Sequence, residues 1–369
     1  MKIAIVLGCL EPRKNGVADY SFVLANQLQE LGHEIMLVSI NDPYIDKLTR
    51  FNYEVLTIPK IRISDSLSDL ERKEIITNHI NLFSPDIVSI QFVSYSFHKK
   101  GIPYNLANLF SGIINLNAHI HFHELWIEEG KLWNIKNILL GLVQKLTIYK
   151  FIKSINPFSI TTSIPYFSQM LFSLNNVEIL PLFGNILKEE FSCNQLLIDT
   201  SKFTIVVFGN LTTKINELEN QLIRLKNLVE RENLEISIKF IGNIKTYKTK
   251  SYSLFVKYFG NECIQHYGEC SNQTISLLFQ TANLGISRAD YKYLGKSGSS
   301  MAMLEHGLPL LIRGNRPNEY LNIFLQQFNN QLLYCSDSTY SLPPKGHHNN
   351  RQKEIAQQFI SIINKHNIA

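Results

Sequence analysis

Strand-like and helix-like patterns alternate from the first residue of this chain. This alternation restricts the possible folds more than any other feature of the sequence. Residues 2–7 form a continuous apolar run, typical of a parallel strand covered on both faces. A helical apolar pattern follows from about Val17 to Leu31, Gly32 supplies a stop, and Glu34–Ile40 is the next predicted strand. With later apolar runs at 86–92 and 119–122, the pattern predicts a doubly wound parallel sheet.

The same pattern begins again near residue 202 and predicts a second α/β unit rather than an extension of the first. Phe203–Phe208 is a predicted strand, Gly209 opens a loop, and Ile215–Val229 carries a helical apolar stripe. Shorter strands are predicted further on, at Ile236–Ile241, Cys263–Tyr267, Leu284–Ser287 and Pro309–Arg313.

Breaks in the pattern suggest where the domains end. The polar stretch from about Gly184 to Ser201 is the predicted linker, and Pro343–Gly346 interrupts the chain again before an amphipathic helix at Arg351–His366. We therefore expect one domain at 1–184, a second at 185–345 and a terminal helix within 346–369.

Composition excludes several classes of protein. The 369 residues are 45% apolar and 18% charged, enough apolar mass for two packed cores and unlike a disordered chain. No stretch approaches the ~20 uninterrupted apolar residues of a membrane-spanning helix. The net charge of +5 is too small to indicate nucleic-acid binding. The five scattered cysteines include no CxxC pair, which fits a reducing, cytoplasmic compartment. The run ending at Cys9 has the outline of a lipoprotein signal, but a buried first strand explains it better.

Familiar catalytic motifs are incomplete. Gly295-Lys296-Ser297 is not a P-loop, because Asp290 stands where that motif needs a glycine. The first strand is not followed by G-x-G-x-x-G, and the sequence contains no Asp-x-Asp that could clamp a metal-bound diphosphate.

Three alternating histidines, His119, His121 and His123, would face one side of a strand. Such a row could contribute to a zinc site, but zinc also needs a fourth ligand or an open water position. A polar lining at the end of the strand, with one functional histidine, explains the pattern better. We therefore predict no bound metal.

Two loops after predicted strands have the features of anion sites. Gly16 stands at the start of a helix, where exposed N–H groups and the helix dipole favour an anion; a helix entry without a ligand is equally consistent with its position. In the second half Gly209-Asn210 follows a strand, and Lys214 begins the next helix, where it could reach a phosphate. Taken alone, Lys214 is better explained as a solvated lysine.

The strongest candidate lies between residues 288 and 311, where a loop of small residues leads into a helix that ends at Gly307. Ser297, Gly298 and Ser299 place hydroxyl and N–H groups at the helix start, and Arg288 and Lys296 add two cations. An ordinary helix cap by Ser297 is the alternative, but the clustering of cations, hydroxyls and glycine favours a phosphate site.

These segments resemble the GT-B glycosyltransferases, in particular the large group that includes many bacterial polysaccharide and lipid-sugar transferases. The resemblance rests on the opening strand, glycine loop and helix of residues 1–34, on His123-Glu124, and on Lys296 to Pro309 with its Gly-x-Pro end. It extends over most of the chain in order and spacing.

The resemblance implies two Rossmann-like domains facing a cleft, with the terminal helix packed back on the N-terminal, acceptor-side domain. It implies that Gly16 approaches the donor phosphates and that His123 lies beside the transferred sugar. It places Gly209, Asn210 and Lys214 at the diphosphate, and Ser297, Gly298 and Ser299 beneath it. We add Arg288, Lys296 and Glu305 as donor-site candidates, with Lys214, Lys296 and His123 as catalytic candidates.

The implied reaction is metal-independent transfer, with retention of configuration, from a UDP- or GDP-type sugar donor to a glycan, a lipid-linked sugar or another bacterial surface acceptor, without a cofactor. One departure matters: Leu294 and Ala302 occupy the two positions of the family's Glu-x7-Glu pair. A GT-B-like subunit that has lost catalysis and binds a glycan or a partner enzyme is therefore an alternative, and a sugar-nucleotide epimerase is another.

Residues 131–158 form a lysine-rich amphipathic segment without an acidic residue. Such a helix can lie on an anionic bilayer, which would bring the protein to the inner face of the membrane. A core-packing helix with a solvated lysine face is the interpretation that the pattern favours.

Overall fold

The computed structural model describes residues 1–11, 16–46, 49–54, 57–127, 135–171, 177–191, 202–211, 214–242, 249–317, 322–347 and 350–367. The chain divides into two compact units. Unit 1 consists of Met1–Pro181 with Gln352–Ala369, and unit 2 of Leu182–Arg351.

Unit 1 is built on an eight-stranded sheet in the order β3-β4-β2-β1-β5-β6-β7-β8, parallel except for the β3–β4 pair. Its strands are β1 (Lys2–Leu7), β2 (Glu34–Asp42), β3 (Phe51–Glu54), β4 (Lys60–Ser64), β5 (Ile87–Phe92), β6 (Ala118–Phe122), β7 (Ser159–Thr162) and β8 (Val177–Ile179). Its helices are α1 (Gly16–Glu30), α2 (Asp69–Phe83), α3 (Ser94–Phe97), α4 (Leu106–Phe110), α5 (Ile135–Ile155), α6 (Pro165–Met170) and α12 (Gln352–Asn367).

The central strands of unit 1 are buried because helices cover both faces of the sheet. Every residue of β5 and β6 is buried, and so are the last five residues of β1. The terminal helix α12 packs against α1 and β7, where the ring of Phe359 meets His119 edge-on at 5.3 Å. The strand order reverses between β1 and β5, the point at which open α/β sheets bind ligands.

Unit 2 contains a six-stranded parallel sheet in the order β11-β10-β9-β12-β13-β14. Its strands are β9 (Lys202–Phe208), β10 (Glu235–Ile241), β11 (Ile264–Gly268), β12 (Leu284–Asp290), β13 (Leu310–Arg313) and β14 (Leu332–Tyr334). Its α-helices are α7 (Ile215–Arg231), α8 (Lys250–Phe259), α9 (Asn272–Thr281), α10 (Tyr291–Leu294) and α11 (Gly298–Glu305), and a 3-10 helix spans Ile323–Gln331.

The predicted α/β class with two doubly wound parallel sheets is confirmed. The start of the predicted linker, however, packs as part of unit 2. Gly184 has no side chain and lies so close to α11 that a Cβ would come within 2.5 Å of Cα of Ala302, and Ile186 is buried in the core. Residues 192–201 of the predicted linker lie outside the described residues.

The helix α5 differs from the interpretation that its sequence favoured. One face packs on the unit, but the outward face is apolar as well as lysine-bearing, with Leu142 and Leu146 exposed. Residues 131–134 of the predicted segment lie outside the described residues. No helix in the described part of the chain combines the length and the apolar character needed to cross a bilayer.

Candidate functional site

The strand order of unit 2 reverses between β9 and β12, so the carboxyl ends of these strands form the edge at which a ligand is expected. Gly209 follows β9, and Arg288 and Asp290 lie at the end of β12. Arg313 ends β13 and pairs in register with Asp290. The structure therefore brings the predicted residues Gly209 and Arg288 to one edge and adds Asp290 and Arg313.

Glycines line the carboxyl ends of three neighbouring strands at this edge. Gly209 and Gly242 directly follow β9 and β10, and Gly268 ends β11; their φ values are +79°, +124° and +62°, a region that favours glycine. The N–H of Gly209 donates to the Ile241 carbonyl at 2.9 Å. A Cβ at Gly209 would meet no atom within 4 Å, so the backbone is open to close approach by a ligand. Asn210, also predicted here, is exposed.

Basic side chains surround this glycine edge. Lys214 precedes the first turn of α7, and its Nζ lies 3.3 Å from Oε1 of Glu217. Nε of Arg313 lies 2.7 Å from the other oxygen, Oε2, of the same carboxylate. Arg313 also donates from NH1 to the Arg288 carbonyl at 2.9 Å, while the Arg288 side chain is exposed and makes no hydrogen bond or ion pair with the residues that the structure describes. The edge thus carries oriented positive charge.

Asp290 is a half-buried acid among these cations. Burial raises the pKa of its carboxyl, while Arg313, a backbone N–H and Lys214 act in the opposite direction. Its Oδ1 is buried and has no hydrogen-bond partner among the described residues. An acid held at a strand end in this way can accept a hydrogen bond from a bound hydroxyl.

The start of α11 lies at the same edge, because Oγ of Ser287 on β12 is 2.7 Å from Oγ of Ser300. The Ser297 hydroxyl caps the helix by accepting from the Ser300 N–H. The N–H groups of Gly298 and Ser299, in the first turn, have no intrahelical acceptor and point to where an anion would bind. The cap and the phosphate site, which the sequence presented as alternatives, are compatible.

Lys296 lies just before this helix, with its Nζ 5.1 Å from the centre of the Tyr293 ring. Glu305 is fully buried at the other end of the helix. Leu294 and Ala302, which the sequence resemblance aligns with the family's two glutamates, are also fully buried in the core. No carboxylate at those two positions is therefore available to a ligand, and the role of Glu305 stays a prediction.

In unit 1 the three alternating histidines belong to a buried hydrogen-bond network. His119 and His121 lie on β6, and His123 directly follows it. Nε2 of His123 lies 2.9 Å from Oε1 of Gln91, whose Nε2 donates to Oγ of Ser89 at 2.9 Å. Since the amide oxygen accepts, His123 carries its ring proton on Nε2, and its Nδ1 is a lone-pair acceptor.

The network continues through Thr161 of β7 to the other two rings. Oγ of Ser89 lies 2.9 Å from Nδ1 of His119. Oγ1 of Thr161 lies 2.9 Å from Nε2 of His119 and 2.8 Å from Nδ1 of His121. Nε2 of His121 is buried and makes no hydrogen bond within the described ranges. Over those same ranges, no cluster of three or more His, Cys, Asp or Glu side chains is placed to hold a metal ion.

Burial keeps these three rings neutral. It lowers the pKa of His119 and of His123 to about 3, and it takes the pKa of His121 well below its ordinary value. A ring that is neutral at pH 7 cannot act as a cationic contact or as an imidazolium acid. His123 is therefore suited to accept a hydrogen bond from a hydroxyl at Nδ1.

The beginning of α1 lies beside this network. The ring of Tyr20 stacks on His121 with centroids 5.9 Å apart and meets His123 edge-on at 5.0 Å. Gly16 begins the helix one turn earlier and has open space where a Cβ would stand. The two predicted unit-1 residues, Gly16 and His123, thus lie at the same edge of the sheet.

A network of ion pairs that no sequence motif indicated holds the chain where it leaves β1. Arg62 of β4 donates from Nε to Asp42 at 2.8 Å and from NH2 to Glu11 at 2.6 Å. Burial raises the pKa of Asp42, but hydrogen bonds from Arg62 and from the backbone outweigh it, so the pKa is below its ordinary value. Glu11, the last described residue before Gly16, is therefore held in a fixed position.

No family model matches the sequence, and no curated protein matches it. Solved structures do match along nearly the whole chain. A sucrose-phosphate synthase from Thermosynechococcus elongatus is 11% identical over 100% of this chain and 90% of its own, with a TM-score of 0.60. HepE from Anabaena, in complex with UDP-glucose, is 9% identical over 99% of this chain and 90% of its own, with a TM-score of 0.57.

A third match, from Listeria monocytogenes, is a protein assigned as a UDP-N-acetylglucosamine 2-epimerase. It is 10% identical over 98% of this chain and 88% of its own, with a TM-score of 0.53. At these identities the likeness shows the fold alone. One of the named proteins is a synthase and another is an epimerase, so the fold alone does not indicate which reaction is catalysed. That inference has to come from the side chains of the site.

Proposed function

We propose that this chain is a glycosyltransferase that takes a sugar from a UDP- or GDP-type donor and attaches it to a glycan, a lipid-linked sugar or another bacterial surface acceptor. One observation carries the proposal. Gly209, Lys214, Arg288, Arg313 and the start of α11 meet at the carboxyl edge of unit 2, and together they offer open backbone, cations and N–H groups to a diphosphate.

The chemistry that such a site can perform follows from the charges that develop in the reaction. As the bond between the anomeric carbon and the diphosphate oxygen breaks, the oxygen keeps the electron pair and the sugar becomes positive. The acceptor oxygen then bonds to the anomeric carbon, and its proton passes to the departing diphosphate oxygen. Cations and helix dipoles already aimed at the departing oxygen stabilise this transition state, a role that we assign to Lys214, Lys296 and Arg288 without a metal.

Unit 1 has a separate proposed role. His123 stays neutral, and its Nδ1 lone pair is suited to orient a hydroxyl group of the sugar or acceptor. Gly16 leaves space for close approach to the start of α1. Gly16 and His123 are therefore the unit-1 candidates for contact with the sugar or the acceptor, and retention of configuration is the expected stereochemical outcome.

Leu294 and Ala302 are buried and stand where the resemblance expects two glutamates, so two alternatives to a transferase must be tested. One is a subunit that binds sugar nucleotides without turning them over, and the other is an epimerase. Thermal-shift measurements against UDP, GDP and their sugars identify the donor, because a specific ligand at 100 times its Kd adds about 2.7 kcal/mol of stability. The purified chain is then given that donor with glycan and lipid-linked acceptors. Transfer of the sugar supports the proposal. Binding without turnover, or interconversion of the donor sugar without acceptor, contradicts it.

A further inference from the structure

The outward face of α5 carries an exposed stripe of apolar side chains. Its members recur at helical spacing along the first half of the helix, and each is between 43% and 75% exposed. The stripe consists of Ile135, Ile138, Leu139, Leu142, Val143 and Leu146. Single exposed aliphatic residues are common on protein surfaces, but a contiguous apolar face of this kind marks an interaction site.

The orientation of this face is set by the packing of the opposite one. Gln144 is fully buried, donates from Nε2 to the Lys100 carbonyl at 2.8 Å and accepts the Ile127 N–H at 2.9 Å. Ile148 and Phe151 are buried on the same side. Because the helix is hydrogen-bonded and packed along this side, it cannot turn to bury the stripe without breaking these contacts.

Positive charge accompanies the stripe. Lys136, Lys145, Lys150 and Lys153 are exposed, and α5 contains no acidic residue. At 100° per residue, Lys136 and Lys145 flank the stripe on opposite sides, while Lys150 and Lys153 continue it toward the end of the helix. Nζ of Lys145 lies 5.3 Å from the ring centre of Trp126, so an indole, a side chain typical of membrane interfaces, stands beside the stripe.

We propose that α5 docks unit 1 on the surface of an anionic phospholipid bilayer, with the apolar stripe entering the headgroup region and the lysines contacting lipid phosphates. The uniform positive charge is complementary to such a surface. It disfavours a second copy of this chain as the partner, since two such helices face to face would bring lysines of the same sign together. This docking does not depend on the donor site, and it would place a transferase where lipid-linked acceptors are found.

Flotation with lipid vesicles tests the proposal in the absence of any nucleotide. The full chain should bind vesicles of an equimolar mixture of phosphatidylcholine and phosphatidylglycerol, bind phosphatidylcholine alone far less, and lose affinity at high salt. Leu142→Gln with Leu146→Gln should weaken partitioning by at least about tenfold. Each of Lys145→Gln and Lys150→Gln should weaken it by about fivefold, whereas exchange for arginine should preserve it.

Matched controls separate docking from loss of fold. Leu70 and Leu82 on α2 are 77% and 85% exposed but have no accompanying stripe, so Leu70→Gln with Leu82→Gln should leave vesicle binding unchanged. Circular dichroism confirms that each variant is folded. Equal binding to neutral and anionic vesicles, no binding to either, equal loss in both leucine pairs, or a dimer in solution that the Leu142 and Leu146 substitutions dissociate would each overturn the proposal.

Discussion

Nε of Arg313 lies 2.7 Å from Oε2 of Glu217, and the other oxygen of the same carboxylate lies 3.3 Å from Nζ of Lys214. Because Arg313 ends β13 and Lys214 directly precedes α7, one carboxylate orients cations from two elements that meet at the same sheet edge. A diphosphate that enters this edge competes with Glu217 for Lys214 and meets positive charge that is already in place.

Lys214→Ala is expected to lower the transfer rate at saturating donor by about 10²–10³-fold, because the loss of one oriented contact commonly costs ~2.7–4 kcal/mol of transition-state stabilisation. Lys296→Ala should behave similarly. Lys226→Ala is the matched control, since Lys226 lies on the same helix with its Nζ 3.7 Å from Glu230. Steady-state kinetics of the three variants should show the loss of turnover in Lys214→Ala and Lys296→Ala but not in Lys226→Ala. Urea unfolding should show little change in stability in any of them, because exposed ion pairs contribute at most about 1 kcal/mol. Unchanged turnover in Lys214→Ala and Lys296→Ala would remove both lysines from the mechanism.

Gly209→Ala tests whether the glycine edge receives the donor. A side chain at φ +79° costs about 1–2 kcal/mol of stability, although the added Cβ meets no neighbour within 4 Å. Gly32→Ala matches it, since Gly32 has φ +87° and the same open surroundings, and it lies between α1 and the amino end of β2, outside the set of predicted site residues. Both variants should lose similar stability in urea unfolding, but Gly209→Ala alone should weaken donor binding measured by calorimetry. Equal donor affinity in the two variants would argue against contact at Gly209.

Asp290→Asn should make the unliganded protein more stable at pH 7 while weakening donor binding. Burial raises the pKa of Asp290, so ionisation opposes folding, and its contribution to stability declines as pH rises above the ordinary carboxyl range. An uncharged amide removes this cost. Urea unfolding at neutral and at acidic pH should show a gain that shrinks on acidification. A variant that is less stable at pH 7 yet binds donor normally would show that the carboxylate serves the fold instead.

The histidine network should make unit 1 sensitive to acid. The pKa of His119 and of His123 is about 3 in the folded protein, against 6.5 ordinarily, so the unfolded chain takes up protons first as pH falls. Between about pH 6.5 and 3 the free energy of unfolding should therefore fall by about 1.4 kcal/mol per pH unit for each ring. Urea unfolding followed by tryptophan fluorescence from neutral to mildly acidic pH measures this slope. A stability that stays constant or rises over that range would mean that the rings become protonated in the folded state.

The order of strands and helices was predictable because the central parallel strands are buried on both faces. β1 and β9 therefore carry continuous apolar runs that stand out without any knowledge of tertiary contacts. The remaining strands gave weaker signals. β3 is an edge strand with exposed residues. β7 has the sequence Ser-Ile-Thr-Thr, which is not an apolar run, because the Thr161 hydroxyl forms hydrogen bonds with histidine rings on the neighbouring strand.

The candidate site was predictable where one short segment carries the signal, as in Gly209 and the serines that begin α11. Arg313 was missed because its role depends on Glu217, which is far away in sequence and near only through the parallel sheet. Asp42 and Arg62 were missed for the same reason. In α5 both faces are apolar enough to pack, and the buried hydrogen bonds of Gln144 decide which one does.

A crystal structure with bound UDP or GDP tests the proposed donor site most directly. The proposal predicts that the diphosphate lies against Gly209 and Lys214, accepts hydrogen bonds from the first turn of α11, and draws the exposed Arg288 side chain toward it. A diphosphate bound away from this edge, or an empty edge in crystals saturated with a nucleotide that binds in solution, would contradict it.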